Sequence, residues 1–194
     1  MTNLLYICDY NMDRSRSAEV MMQARIKQYG IAGLIVSSAG LHEAKEYPPL
    51  GMTDEMRDTL SKMGYEPTAH TPRIVTLDQL KSQEQDIVLC FTKRQLEEAL
   101  HRVPELEDRV YMLSEYATGK RKEIPAPNKR IKRIPAILKP FAYAPGYVDY
   151  GNEKGVMKVH RKIAGEIERY VDLALQRMAS EGKISLEISA EKQA

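Results

Sequence analysis

The chain is poor in cysteine: Cys8 and Cys90 are its two such residues in 194. That excludes a scaffold held by several disulfides and fits a reducing compartment. A long apolar run is missing, so no segment reads as a membrane span. The pattern of a secretory leader is missing too. The expectation is a soluble, cytoplasmic protein. Bias of charge is also lacking, because 29 Lys and Arg against 27 Asp and Glu leave a net +2, which argues neither for nor against a polyanionic partner. There are no clear internal repeats. With 43% hydrophobic residues, the chain can bury one sizeable core and reads as one domain.

What is present is concentrated near the start. Leu4-Leu5-Tyr6-Ile7 is apolar and too short for a helix, so it reads as a buried strand. Cys8-Asp9-Tyr10-Asn11-Met12-Asp13-Arg14-Ser15 follows. From Ala18 to Tyr29 the content is helical, with Val20, Met21, Met22 and Ile26 as apolar residues. Strand, tight loop and helix in that order turn backbone N–H groups inward and make an anion site. A cysteine there gains thiolate character from those dipoles and from Arg14. Arg14 can hold two phosphate oxygens at once, which a lysine cannot copy. A thiolate beneath a bound phosphate is set for in-line attack on phosphorus, and Ser15 can donate to the sulfur when it leaves. A strand-end cysteine that merely packs is the plain alternative.

The pattern Ile7-Cys8-x-x-Asn11-x-x-Arg14-Ser15-x-x-Ala18-Glu19 resembles the phosphate loop of the low molecular weight protein tyrosine phosphatases. Further segments resemble that family in order. They are Ser37-Ser38-Ala39-Gly40, the Tyr47-Pro48-Pro49 loop, Met56 to Thr76 with Gly64, His70 and Arg73, the strand Asp86–Phe91, and Tyr150-Gly151-Asn152. The likeness spans roughly residues 3–118 and 147–175. It implies Cys8 as nucleophile through a phosphocysteine, Arg14 as phosphoryl binder, and Ser15 as helper of the thiolate. It implies Asn11 in a left-handed conformation that Asn tolerates, supported by Ser38 and His70. The phosphate cradle would comprise Asp9, Tyr10, Asn11, Met12, Asp13, Arg14 and Ser15. No cofactor and no metal are implied.

The sequence departs from the family at three places. Tyr10 stands where the family usually has Gly, and either crowds the loop or forms a wall. Asp13 stands where the family often has a second Cys; a carboxylate there offsets part of the Arg14 field. Asp9 adds another negative charge. Both acids either weaken the chemistry or point to solvent or to Arg16. The family's Asp-Pro acid is missing. Asp149, the one carboxylate in Phe141–Asn152, takes that place if the Pro is deleted; an ungapped alignment on Tyr150-Gly151-Asn152 puts Tyr147 there. Asp149 is favoured as general acid.

The elements expected are strands at about Asn3–Cys8, Leu34–Ser38, Asp86–Phe91 and Arg109–Met112. Helices are expected at about Arg14–Tyr29, Thr53–Met63, Lys93–Val103 and Asn152–Met178, with a short turn at Leu77–Lys81. Strands alternating with helices imply a three-layer α/β/α fold around a four-stranded parallel sheet, with ligands beyond the strand carboxyl ends. The phosphatase-like domain is expected over 1–178, with a tail, 179–194, that is disordered or an added edge strand.

Residues 119–145 are not explained by the resemblance. They carry Lys120, Arg121, Lys122, Lys129, Arg130, Lys132, Arg133 and Lys139, five prolines, and Glu123 as the lone acid. This basic insertion either contacts a polyanion or is a solvated loop. Met12, with Tyr10, Tyr47 and Tyr150 as walls, suits an aromatic phosphate. Phosphotyrosine-like phosphomonoesters, free or on a protein, are therefore the expected substrates. The alternatives are a phosphate-binding regulatory module and, ranked lower because Cys90 stands alone, an arsenate reductase.

Overall fold

In a computed structural model, the structure describes residues 1–43, 51–76, 80, 85–127 and 153–186. β1 (Thr2–Cys8) leads into α1 (Arg14–Tyr29), then β2 (Ile31–Ala32), β3 (Leu34–Gly40) and α2 (Asp54–Lys62). β4 (Ile87–Cys90), α3 (Lys93–Arg102), β5 (Val110–Met112) and α4 (Leu113–Thr118) follow. The long α5 (Glu153–Ser180) and β6 (Ser185–Leu186) complete the order. The main sheet runs β3-β1-β4-β5, parallel throughout. This is the expected α/β architecture.

Alternation along β1 sends its side chains to two cores. Leu4, Tyr6 and Cys8 face α1 and α5, whose Met21, Met22, Ile163, Ile167 and Val171 cover them. Leu5 and Ile7 face the other way, against Leu96 and Ala99 of α3. Each such Leu or Ile contributes about 1.5–3 kcal/mol by leaving water. With both faces covered, β1 and β4 are apolar almost throughout, as central parallel strands are. The reading frame of β1 therefore determines that Cys8 emerges on the α1 side, at the carboxyl edge of the sheet.

The same pleat separates the two thiols. Cys8 shares the α1 face, whereas Cys90, paired in register with Ile7, lies in the opposite core. Both are free and buried, and neighbouring strands do not bring them together. Burial pushes the Cys90 thiol up to about 12, with the negative groups Cys8 and Asp9 adding to it.

Three elements, α4, a 3-10 turn and β2, were not expected. Leu113–Thr118 forms α4, ended by left-handed Gly119, and Pro104–Leu106 forms a 3-10 turn. Ser185–Leu186 of the tail pairs antiparallel with Ile31–Ala32 in a two-stranded sheet of their own, so this part of the tail forms a strand, though not at the edge of the main sheet. The Tyr47-Pro48-Pro49 loop, most of the Leu77–Lys81 turn, residues 128–145 of the basic insertion and the Asp149 segment lie outside the described residues.

Candidate active site

The loop between β1 and α1 is built around Asn11. Its φ of 56° makes it the one non-glycine with positive φ among the described residues, a region that short polar side chains tolerate. Asn11 Nδ2 donates to Ser15 Oγ at 3.0 Å and to Ser38 Oγ at 2.7 Å. Its Oδ1 accepts from the Arg73 backbone N–H at 3.2 Å, and its carbonyl accepts from His70 Nε2 at 2.8 Å. Ser38 in turn donates to Glu19 Oε2 at 2.5 Å, and Glu19 pairs with Arg16 at 2.9 Å. Ser38 and His70 thus stand where the resemblance puts them, against Asn11.

Gly40 has a steric reason to end β3. A Cβ there would meet Tyr10 C at 2.9 Å, and Asn11 N and Asp9 O at 3.0 Å. The loop lies directly on this residue.

Cys8 Sγ is 3.0 Å from Ser15 Oγ. Arg14 is buried; one of its nitrogens donates to the Ile124 carbonyl at 3.1 Å and another to Asp9 Oδ2 at 2.7 Å. These contacts fix the guanidinium and leave further N–H donors for an oxyanion. Asp9 also accepts from Gln95 Nε2 at 3.0 Å and pairs with Arg94. Burial pushes the Asp9 carboxyl up, but Gln95, Arg14 and Arg94 outweigh it and hold it below the usual carboxylate range.

Asp13 occupies the N-cap of α1 yet makes no cap bond. Its carboxylate is turned instead to Thr53, the N-cap of α2, whose hydroxyl donates to Oδ1 at 2.7 Å. Burial raises its pKa against the opposing pull of Thr53, His160 and Arg14. Neither acid takes the course expected of a bland surface residue. Asp9 pairs with Arg14 and Arg94, Asp13 with Thr53, and Arg16 with Glu19.

These groups open into a cleft of about 590 Å³ lined by Cys8, Asp13 and Arg14 among others. Tyr10, 45% exposed, and Met12 form walls, with the Tyr10 ring 6.0 Å from His42. Tyr10 is a wall and does not crowd the loop. Ala126 and Pro127, just before the densest part of the basic insertion, line the far side.

Sequence reasoning brought Cys8, Asp9, Tyr10, Asn11, Met12, Asp13, Arg14, Ser15, Ser38 and His70 to one place, and the structure gathers all of them. Asp149 lies outside the described residues. Missed were Thr53, Arg94, Gln95, Ile124 and His160, which come from four other segments. A Thr N-cap before Asp54 was legible as a helix start, but nothing in the sequence tied it to Asp13.

The arrangement is an anion cradle at a helix N-terminus, with a thiol at its base and a fixed guanidinium at its side. Residues 3–134 match the low molecular weight phosphotyrosine protein phosphatase family. No curated protein matches the sequence. The fold is shared with a low molecular weight phosphotyrosine phosphatase from Vibrio cholerae O395, at 20% identity and a TM-score of 0.71, covering 94% of this chain and 99% of that one. It is shared with the YwlE arginine phosphatase from Geobacillus stearothermophilus, at 19% identity and 0.69, covering 94% and 96%. A low molecular weight protein tyrosine phosphatase from T. tengcongensis gives 21% identity and 0.68, covering 91% and 99%. At such identities the solved structures speak for the fold, while the family match spans more than half of the chain. The chain belongs to the low molecular weight phosphotyrosine protein phosphatase family, whose members are phosphatase hydrolases.

Proposed function

We propose that this protein hydrolyses phosphomonoesters of the phosphotyrosine type through a phosphocysteine. The supporting observation is the placement of Cys8 Sγ 3.0 Å from Ser15 Oγ, in a loop whose Arg14 is fixed from two sides. In the first step the Cys8 thiolate attacks phosphorus, an S–P bond forms and the P–O bond to the leaving group breaks. Asp149 gives that oxygen its proton. In the second step water attacks phosphorus, passes a proton to Asp149, and the S–P bond breaks to return the thiolate. Arg14 and the loop N–H groups stabilise the equatorial oxygens in both. Tyr10 and Met12 form apolar walls suited to a flat ring, with Tyr47 and Tyr150 as further candidates. The substrate is a small aryl phosphate or a phosphorylated protein, and the basic insertion gives it a polyanion contact.

The test is hydrolysis of p-nitrophenyl phosphate from mildly acidic to neutral pH. Cys8→Ser abolishes turnover, Arg14→Lys lowers it by about a hundredfold or more, and Asp149→Asn slows the leaving-group step. Turnover that survives Cys8→Ser rejects the phosphocysteine route. For the insertion, neutralising Lys129, Arg130, Lys132 and Arg133 should weaken polyanion binding and flatten its salt dependence; an unchanged salt slope refutes that contact.

A second reading, a phosphate-binding regulatory module, is favoured by the two carboxylates in the cleft, Asp9 on Arg14 and Asp13 beside it. It requires vanadate or phosphate binding without turnover. Arsenate reduction is disfavoured, since Cys90 lies in the opposite core from Cys8.

A further inference from the structure

Asp13 presents a problem for any oxyanion site. It lines the same cleft as Cys8 and Arg14, where, on the phosphatase reading, a dianion and a thiolate must already be accommodated. A third negative charge there works against oxyanion binding. The neighbouring arginines are paired elsewhere. Arg14 is engaged by Asp9, Arg16 by Glu19, and Arg94 by Asp9 and Glu98. Among the described residues Asp13 has no ion pair, only Thr53.

We propose that Asp13 serves the site as a neutral carboxylic acid, so that an oxyanion enters the Cys8 loop together with a proton. The proposal rests on the reading of that loop as the phosphoryl site. The Thr53 hydroxyl donates to Asp13 Oδ1 while its own oxygen accepts from the Met56 N–H at 3.4 Å. That commits Oδ1 as an acceptor and leaves Oδ2 to carry the proton. The neutral acid is a donor, whereas the carboxylate could only accept.

The groups facing Asp13 act in two directions. Cys8 and Asp9 from the loop and Glu55 from α2 line the same cleft, and a negative charge on any of them opposes one on Asp13. Arg14 and, from α5, His160 favour it, and the half-exposed Arg94 brings a further positive charge to the cleft that His42 also lines. His160 is buried and its Nδ1–H donates to the Val156 carbonyl at 2.9 Å. An arriving oxyanion takes up the field of Arg14 and the loop N–H groups and excludes water from the cleft. Both changes disfavour a charged Asp13, which is already shifted toward the neutral form by burial. Binding and protonation are therefore linked, and each strengthens the other.

Sulfate is the probe, because its charge is constant over the range that matters, and Cys8→Ser removes the thiol's own titration. Sulfate affinity of Cys8→Ser protein, measured by calorimetry from about pH 5.5 to 8.5, should fall by up to about tenfold per pH unit once Asp13 must be protonated on binding. Calorimetry in buffers of different ionisation enthalpy should show the proton taken up. Adding Asp13→Asn, which keeps the shape and an acceptor for Thr53, should remove that part of the slope and the uptake. Asp13→Ser should do the same should the amide disturb the loop. His160→Gln should leave the Asp13-dependent part in place. A slope and proton uptake that persist in both Asp13 variants overturn the proposal, as does pH-independent affinity in the Cys8→Ser parent. Failure of the underlying reading looks different: no sulfate binding at any pH, and no Cys8-dependent turnover in the wild type.

Discussion

The Ser15 hydroxyl points its proton at the Cys8 sulfur because its bonds to the described residues leave it no other acceptor. Glu19 accepts the Ser38 proton, so the Ser38 oxygen accepts from Asn11. The other Asn11 N–H goes to the Ser15 oxygen. That leaves the Ser15 proton for Sγ at 3.0 Å. A buried carboxylate thus sets the direction of a chain of bonds that ends on the thiol. Ser15→Ala should lower kcat for p-nitrophenyl phosphate by about tenfold to a hundredfold, the worth of a hydrogen bond to a charged group, with little change in KM. Unchanged kcat would mean that the sulfur needs no such donor.

Asn11 contributes both a conformation and a hub, and two variants separate them. Asn11→Gly keeps the φ of 56° accessible and loses the side-chain bonds. Asn11→Ala loses the bonds and adds left-handed strain. Urea denaturation should find both destabilised, with Ala worse than Gly by about 1–2 kcal/mol. Equal stability of the two would show that the loop relaxes out of its left-handed turn.

Gly40→Ala should cost about 1–3 kcal/mol and most of the activity, since its methyl meets three backbone atoms of the loop at 2.9–3.0 Å. Gly165→Ala in α5 is the contrast: nothing lies within 4 Å of the added Cβ, and an alanine in a helix interior should stabilise by about 0.5–1 kcal/mol. Thermal melts of the two variants give the comparison.

The order of these elements was readable because hydrophobic pattern and turn residues act locally. β1, α1 and the Cys8 loop are contiguous in the chain, so their motif carried the site. Ser38 and His70 were reached through the resemblance. The partners of the two unusual acids were not, because they depend on tertiary approach. Asp9 meets Arg94 and Gln95 only after β4 pairs with β1, and Asp13 meets Thr53 only after α2 docks. α4 escaped notice for a related reason. Leu113, Ser114 and Tyr116 are buried by packing on α5, while a segment this short has weak propensity of its own.

Asp9 should prove to be a positioning residue for Arg14. Asp9→Ala removes one of the two anchors of the guanidinium and should reduce kcat/KM by about tenfold, mainly through KM. Arg94→Ala, which removes a partner of Asp9 at the half-exposed rim, should have a smaller effect in the same direction. A rise in kcat/KM in Asp9→Ala would instead make Asp9 a competitor of the phosphate for Arg14.

His70 gives the site an acid limit that can be worked out in sign. A carbonyl only accepts, so the bond to Asn11 O fixes the Nε2–H tautomer. Nδ1 is buried with no partner among the described residues. Burial lowers the His70 pKa, Arg16 and Arg73 push the same way, and the bond to Asn11 together with Glu19 opposes them. A histidine with a folded pKa below its unfolded value of about 6.5 binds fewer protons folded than unfolded. Its contribution is therefore complete above the unfolded pKa and is lost as pH falls through the folded one. Wild-type stability should decline over that window, while His70→Gln, which can still donate to Asn11 O but does not titrate there, should decline less. Denaturation midpoints of the two proteins across mildly acidic pH provide the measurement. Parallel curves would show that His70 takes up its proton without loss, and that the orphaned Nδ1 finds a partner when charged. Converging curves toward acid pH would tie the integrity of the Cys8 loop to a neutral imidazole holding the Asn11 carbonyl.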